Sequence, residues 1–228
     1  MLKIKRGKVI VLESVDGAGK GAVVEALRKH FKDRQDILFT REPGGTPLGE
    51  EVRSILLNRR HDDMHVKTDI LLHFAYRPQH YRDVISPALE KGINVIMDRC
   101  DISTFAFEVF GRNAEDLFND VARLCAWVRD LPDDYVKSGG HIFDKIIFLD
   151  LVPEIGLKRI IDGRGLQGLD RYEAKELDFH RRVYAGYHKL CNAKLFGPWE
   201  IIDATKSPDE VALQVIKIVE SMISPRVF

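Results

Sequence analysis

A short apolar segment that runs directly into a glycine-rich turn most constrains how this chain folds. Residues 8–12 read KVIVL, residues 14–21 read SVDGAGKG, and an apolar stripe then follows at helical spacing, made of Val23, Val24, Leu27 and Phe31. This order predicts a strand, a glycine turn and a helix. In such a unit the backbone N–H groups of the turn and the N-terminus of the helix face one point, which suits the oxygens of a phosphate.

Four further short apolar segments predict β-strands, at 37–40, 94–98, 145–150 and 200–203. Helical patterns separate them, including a long one at about 69–90 and a last one that starts at Ser207. Strands that alternate with helices predict an α/β fold, a doubly wound parallel sheet covered on both sides, as one domain over residues 1–228. Ligands of such sheets bind at the carboxyl ends of the strands.

Composition restricts the class of partner. The chain has 228 residues and 35 basic side chains against 35 acidic ones, whereas a duplex-DNA-binding domain is usually basic. Its three cysteines are scattered with no CxxC pair, which favours a reducing compartment. No signal-peptide pattern or apolar run of membrane-spanning length is present. We therefore expect a cytoplasmic protein whose partners include neither nucleic acid nor a membrane.

The glycine loop on its own supports two interpretations. Against the phosphate-loop pattern G-x-x-x-x-G-K-[ST], it keeps Gly19 and Lys20, but Ser14 stands at the first glycine and Gly21 at the hydroxyl residue. Residues 17–22 (GAGKGA) also fit the dinucleotide pattern G-x-G-x-x-[GA], with Glu42 after the second strand as a ribose ligand. The loop alone leaves a kinase and a dinucleotide-binding oxidoreductase open.

Further segments decide between them: 40–50 (TREPGGTPLGE), 77–80 (RPQH), 98–99 (DR) with 103–107 (STFAF), 152–159 (VPEIGLKR) and 170–171 (DR). Together they resemble the thymidylate kinase family, bacterial type, from residue 9 to about residue 219. The resemblance implies the P-loop nucleoside-monophosphate-kinase fold, with a five-stranded parallel sheet, helices on both faces and a short lid at about 159–172. It also implies ATP as donor, dTMP as acceptor, a requirement for Mg²⁺, and a homodimer packed through helices.

The same resemblance assigns the ATP phosphates to the loop and the start of its helix, namely Val15, Asp16, Gly17, Ala18, Gly19, Lys20, Gly21 and Ala22. Lys20 brings a point charge to the β- and γ-phosphates. Asp16 lies near the acceptor phosphate and the metal, and Asp98 contacts Mg²⁺ through water.

The resemblance assigns binding of the acceptor to a second set of residues, namely Arg41, Pro43, His73, Phe74, Arg77, Arg99, Thr104, Phe107 and Glu108. Arg41 and Arg99 grip the acceptor phosphate, because guanidinium forks bind oxygens bidentately. The thymine edge is touched by Arg77, Thr104 and Glu108, and the deoxyribose by Phe107. His73 replaces the usual stacking phenylalanine, with Phe74 beside it.

The resemblance assigns to the lid the residues that neutralise charge on the transferring phosphoryl group. Ala18 occupies the loop position where the other type of the family carries an arginine. Arg159, Arg164 and Arg171 flank the glycine stretch 163–168. Arg164 is the first candidate for the mobile catalytic arginine, with Arg159 in support.

Three departures from the family pattern carry consequences. Gly21 lacks the hydroxyl that ligates Mg²⁺, which predicts weaker metal affinity or slower turnover. Ser14 would be strained if its φ were positive. Glu108 stands in place of a glutamine, and an ionised carboxylate only accepts hydrogen bonds. The acceptor is therefore expected to be dTMP, with dUMP, a modified dUMP or dCMP as alternatives, or else the chain is a catalytically impaired nucleotide-binding homologue.

Overall fold

A parallel β-sheet forms the centre of the protein. The computed structural model describes residues 6–223, in which five strands pair in the order β2-β3-β1-β4-β5, all parallel. The strands are β1 (Val9–Ser14), β2 (Ile37–Arg41), β3 (Asn94–Asp98), β4 (Lys145–Asp150) and β5 (Trp199–Asp203). All five predicted strands are confirmed within two residues at each end. Within the described residues, no helix has both the length and the apolar character needed to cross a membrane.

Ten α-helices surround the sheet in the described part of the chain. They are α1 (Lys20–His30), α2 (Pro47–Leu56), α3 (Val66–Ala75), α4 (Arg77–His80), α5 (Ser86–Glu90), α6 (Asp101–Thr104), α7 (Phe118–Trp127), α8 (Pro153–Arg164), α9 (Leu177–Asn192) and α10 (Pro208–Met222). All six residues of β1 are buried, and four consecutive residues of β4 are as well. Because successive side chains of a strand point to opposite faces, both faces of the sheet are covered.

The long helix predicted for 69–90 is interrupted. It starts earlier, at Val66, and is divided into α3, α4, a π-helical segment (Tyr81–Ile85) and α5. Pro78 and Pro87 follow these breaks, and proline supplies no N–H to the preceding turn. A second π-helical segment, Phe105–Phe110, follows α6. Segments of this kind cluster at functional sites, and these two carry the predicted base-contacting residues or flank them.

The strand ends bring predicted site residues to one edge of the sheet. Asp98, at the end of β3, pairs in register with Arg41 on β2 and with Leu12 on β1. The glycine loop leaves β1 two residues beyond Leu12. Arg41, Asp98 and the glycine loop therefore lie close together where β1, β2 and β3 end.

The glycine loop also lies directly on α8. A Cβ added to Gly156 would be 2.2 Å from the carbonyl oxygen of Asp16, and one added to Gly17 would be 2.1 Å from the carbonyl oxygen of Gly156. Two glycines thus allow backbone to approach backbone, which fixes the loop against the helix that leads to the lid.

We predict that Gly156→Ala lowers the free energy of unfolding by about 1–3 kcal/mol, because the new methyl group forces the loop and α8 apart. Gly163→Ala is the matched control: it lies in the same helix with nothing within 4 Å of its added Cβ. It should be neutral or stabilise by up to about 1 kcal/mol through helix propensity. Urea unfolding measures both, and equal stability of the two variants would contradict the packing argument.

Candidate active site

The glycine loop adopts the geometry of an anion cradle. Gly17 (φ 74°) and Gly19 (φ 87°) are left-handed, and Gly19 caps α1 without a side-chain hydrogen bond. The first N–H groups of α1 therefore have no side-chain partner and face the cradle. Ser14, for which strain was considered, ends β1 in an extended, buried conformation without a positive φ. The missing first glycine therefore costs no backbone strain.

Lys20 and Asp98 meet across the cradle, where the Lys20 ammonium donates to Asp98 Oδ1. Burial lowers the pKa of Lys20, and the neighbouring Arg99 charge adds to this. For Asp98, burial acts to raise the pKa, but the Lys20 charge and hydrogen bond outweigh it and leave the pKa below its ordinary value. The pair places one cation and one carboxylate where the phosphates would lie.

Arg99 is held in a strained backbone conformation at the end of β3. Its φ is 67°, which is uncommon for a residue with a side chain. Its Nη1 donates to the Ser14 carbonyl (2.8 Å), Ser103 Oγ (3.1 Å) and the Tyr187 hydroxyl (3.2 Å). Its Nη2 donates to Asp16 Oδ1 (2.9 Å). The guanidinium that was predicted to grip the acceptor phosphate is thus pre-oriented beside the glycine loop.

Glu13 is a site residue that the sequence analysis missed. Its side chain is fully buried; Oε1 accepts from the Cys100 N–H (2.9 Å), and Oε2 accepts from Ser103 (2.7 Å) and Tyr187 (2.8 Å). Burial raises the pKa of Glu13, and the Arg99 charge opposes that rise. The available sign was a carboxylate that directly follows the four apolar residues of β1, at a position where the strand should be buried.

Arg77 lies in a buried cage at one corner of the site. Its Nε donates to Glu42 (2.8 Å) and lies 3.0 Å from an Asp101 oxygen, and its Nη2 donates to Thr104 Oγ1 (2.9 Å). The Phe74 ring lies 4.5 Å below the guanidinium and belongs to the hydrophobic core, so it supports Arg77. Nη1 of Arg77 is buried without a protein partner.

Glu42 is therefore not free to bind a ribose. It is buried, accepts from Arg77, and lies 3.3 Å from His80 Nδ1. Burial acts to raise its pKa, but the charges and hydrogen bonds of Arg77 and His80 lower it to about 2. The dinucleotide interpretation loses its acidic ligand.

Glu108 and His73 belong to a second buried polar cluster next to Arg77. Glu108 Oε2 accepts from Arg112 (3.3 Å), and His73 Nε2 lies 3.2 Å from the Tyr172 hydroxyl. Burial, with a further contribution from the Asp69 carboxylate, raises the pKa of Glu108 to about 7. The sequence analysis assumed an ionised Glu108; the structure gives a carboxyl group that is protonated over part of the neutral range.

Phe107, Arg41 and Pro43 are the remaining residues predicted to bind the acceptor. The Phe107 ring packs edge-on against Tyr172, and the Arg99 guanidinium lies 5.2 Å from its centre. Arg41 is exposed and paired with Glu50 (2.7 Å). Pro43 follows a cis peptide bond, and its carbonyl accepts from Arg53 (3.0 Å).

A cavity of about 490 Å³ lies between the glycine loop and the end of α8. Its lining includes Gly17, Gly19, Arg159 and Arg164. Arg159 donates to the Ala204 carbonyl (3.1 Å), and Arg164 is paired with Glu173. Both predicted lid arginines therefore reach this cavity, although neither contacts the Lys20–Asp98 pair. Val15 and Ala18 are buried under the loop, and Ala22 is exposed.

A parallel sheet with a phosphate cradle on one side and a buried polar corner on the other defines a P-loop phosphotransferase of the nucleoside-monophosphate-kinase type. The family model described as thymidylate kinase matches residues 12–215. The chain belongs to the thymidylate kinase family. Its membership excludes the oxidoreductase that the glycine loop alone had left open.

Curated relatives agree over nearly the whole chain. A thymidylate kinase of Francisella tularensis subsp. holarctica is 36% identical over 217 residues, which cover 94% of this chain and 96% of the relative. One of Chlorobaculum tepidum is 36% identical over 222 residues, covering 94% and 97%. One of Pediococcus pentosaceus is 34% identical over 220 residues, covering 96% and 99%.

We predict that Glu13→Ala lowers the free energy of unfolding by about 3 kcal/mol or more, because the buried Cys100 N–H and Tyr187 hydroxyl and the half-buried Ser103 hydroxyl lose their acceptors. Glu13→Gln retains one of the two acceptor oxygens, and its NH₂ group can donate to the hydroxyls of Ser103 and Tyr187, so it should lose less than half as much. Both variants should raise the KM for the acceptor, because Arg99 loses a neighbouring charge. Urea unfolding and steady-state kinetics measure these effects, and an alanine variant as stable as the parent would refute the role given to Glu13.

Proposed function

We propose that this protein transfers the γ-phosphoryl group of ATP to dTMP, giving ADP and dTDP, with Mg²⁺ as the cofactor. The observation that carries this proposal is the position of Asp16. It belongs to the loop that cradles the donor phosphates, and it also accepts from Arg99, the guanidinium on the acceptor side. The donor cavity and the acceptor corner therefore meet at one residue, which in-line phosphoryl transfer requires.

On the donor side, the loop N–H groups and Lys20 bind the phosphates of ATP. Arg164 lies at the end of α8 with half of its side chain exposed, and a single ion pair to Glu173 holds it. We propose that residues 159–172 act as the lid, so that Arg164 leaves Glu173 and neutralises charge on the transferring group, with Arg159 beside it. Such catalysis rests on positioning and charge stabilisation, with no covalent intermediate on the protein.

On the acceptor side, Arg99 and Arg41 bind the phosphate of dTMP. Phe107 forms the wall beside the deoxyribose, and Arg77, Thr104 and Glu108 face the base. The buried, unpartnered Nη1 of Arg77 supports this placement, because a buried donor without an acceptor is costly until a ligand supplies one.

The residues present suit a magnesium ion. Asp16 Oδ2 is buried without a hydrogen-bond partner, and Asp98 has a lowered pKa and so remains a carboxylate. Hard oxygen donors of this kind are the ligands of Mg²⁺, which keeps several waters in such sites. Asp98 and Asp16 would hold the ion, which would supply positive charge to offset that of the phosphates.

We further propose a homodimer and a cytoplasmic setting. Leu71 on α3 and Trp127 at the end of α7 are large apolar side chains with more than half of their surface exposed, and α3 packs against α7. An apolar surface of this kind is typical of a subunit interface. The three cysteines are buried and unpaired, which suits a reducing compartment.

An assay of ADP release with Mg²⁺ and ATP tests the function directly, with dTMP, dUMP, dCMP, dGMP and dAMP as acceptors. We expect the highest kcat/KM with dTMP. Measurable nucleotide binding without turnover on any acceptor would instead identify an impaired nucleotide-binding homologue.

We predict that Gly21→Ser lowers the Mg²⁺ concentration for half-maximal activity about tenfold or more, because a hydroxyl returns as a charge-assisted ligand. Nothing lies within 4 Å of a Cβ added to Gly21, so the side chain fits. Gly21→Ala is the matched control, since it adds the same carbon without the oxygen. Identical magnesium titrations of the two variants would remove the metal role from this position.

A further inference from the structure

Two rows of polar side chains face each other across the acceptor corner. The residues of each row are spaced four apart. One row runs along α3 and α4, and the other runs from α6 through the π-helical segment that follows it. The first row is Asp69, His73 and Arg77, and the second is Thr104, Glu108 and Arg112. Arg77 donates to Thr104, Arg112 donates to Asp69 (2.9 Å), and polar atoms of Asp69, His73 and Glu108 lie within 4.8 Å of one another.

Each of three neighbours in these rows leaves one buried polar atom unpaired. The atoms are Nη1 of Arg77, Nδ1 of His73 and Oε1 of Glu108. Burial of a polar atom without a hydrogen-bond partner is destabilising for each such group. Three in one corner indicate a ligand whose hydrogen-bonding edge completes them, and the edge of a pyrimidine has the alternating donors and acceptors to do so.

Arginine side chains stabilise the negative charge of Asp69 more than that of Glu108. Arg171 donates to Asp69 (2.8 Å), and Arg112 is shared between Asp69 and Glu108. Burial, Arg77 and Arg171 lower the pKa of His73, so its ring is neutral. The titratable and charged groups facing Glu108 are Asp69 and His73 on α3, Arg112 beyond its own segment, and Arg171 and Tyr172 before α9.

Glu108 is therefore the group in this corner best placed to carry a proton. Its Oε2 accepts from Arg112 at 3.3 Å, a hydrogen bond with Tyr172 acts on its pKa, and its Oε1 has no hydrogen-bond partner among residues 6–223, whereas Asp69 accepts from two arginines and from Tyr172. A carboxyl group with a pKa of about 7 exists in both forms near neutrality. The protonated form donates through its O–H, as an amide does through its NH₂, while the ionised form only accepts.

We propose that protonated Glu108 determines acceptor specificity by donating its carboxyl hydrogen to the 4-oxo oxygen of a thymine or uracil, and that ionised Glu108 favours a 4-amino pyrimidine instead. This inference rests on the proposed function, which places the acceptor base at this corner. No bond is made or broken, and the proton stays on Glu108.

The sign of the pH dependence follows from the raised pKa. Below about pH 7 Glu108 is protonated and donates to the 4-oxo group; above it, the carboxylate repels that oxygen and accepts from a 4-amino group. Because kcat/KM reports the free enzyme, the ratio of kcat/KM for dTMP to that for dCMP should fall about tenfold or more between pH 6 and pH 8.5. The phosphates of both acceptors titrate alike, so their ionisation cancels in the ratio.

The experiment measures this ratio across pH in the parent, Glu108→Gln and Glu115→Gln. The amide donates at every pH, so the ratio should be flat across pH in Glu108→Gln. Glu115→Gln makes the same chemical change at an exposed position and should keep the parent's slope. A flat ratio in a parent that turns over dTMP well, or an unchanged slope in Glu108→Gln, overturns the inference and leaves the proposed function intact.

Calorimetry covers the case in which turnover fails. At about pH 8, where the acceptor phosphate is already dianionic, dTMP binding to the parent should take up a proton, as seen by comparing two buffers of different ionisation heat. Glu108→Gln should take up none. Binding without proton uptake in the parent overturns the inference whether or not Glu108→Gln folds, and an absence of turnover on every acceptor counts against the proposed function alone.

Discussion

The site depends on how Arg99 is held at the end of β3. A positive φ at a residue with a side chain costs about 1–3 kcal/mol, and surrounding contacts must hold it there. Here the Ser14 carbonyl, Ser103, Tyr187 and Asp16 all accept from one guanidinium. Arg99 thereby ties β1, β3, α9 and the glycine loop together. The group proposed to bind the acceptor phosphate is therefore also the group that fixes the glycine loop beside it.

This arrangement requires several charged side chains to be buried. Glu13, Glu42, Asp69 and Arg77 are almost fully removed from water, and a buried ion pair is often no more stabilising than apolar packing of the same volume. The gain is preorganisation: donors that are already fixed need no reorientation when charge develops at the transition state. The polar atoms left unpaired at Arg77, Asp16 and Glu108 lie where substrates or the metal are expected.

Local patterns predicted what is local. The apolar segments gave the strands, and the loop gave the cradle, because both depend on neighbouring residues. Glu13, Asp101 and Tyr187 were missed as site residues because their roles depend on contacts between segments far apart in the chain, such as Glu13 with Tyr187. The break at 69–90 was missed because apolar periodicity continues through it, whereas Pro78 and Pro87 remove the backbone donors that a continuous helix needs.

Glu108 shows a second reason why the site could not be fully predicted from the sequence. The residue type specifies a carboxyl group, but its hydrogen bonding depends on whether the fold favours the protonated or the ionised form. Burial raises the pKa of Glu108 most, and Asp69, 39 residues earlier in the chain, adds to the rise through its negative charge. In its protonated form, the glutamate offers the donor that a glutamine would offer. An ionised glutamate at this position would exclude thymine, whereas a protonated glutamate is compatible with thymine. The preferred base therefore depends on pH.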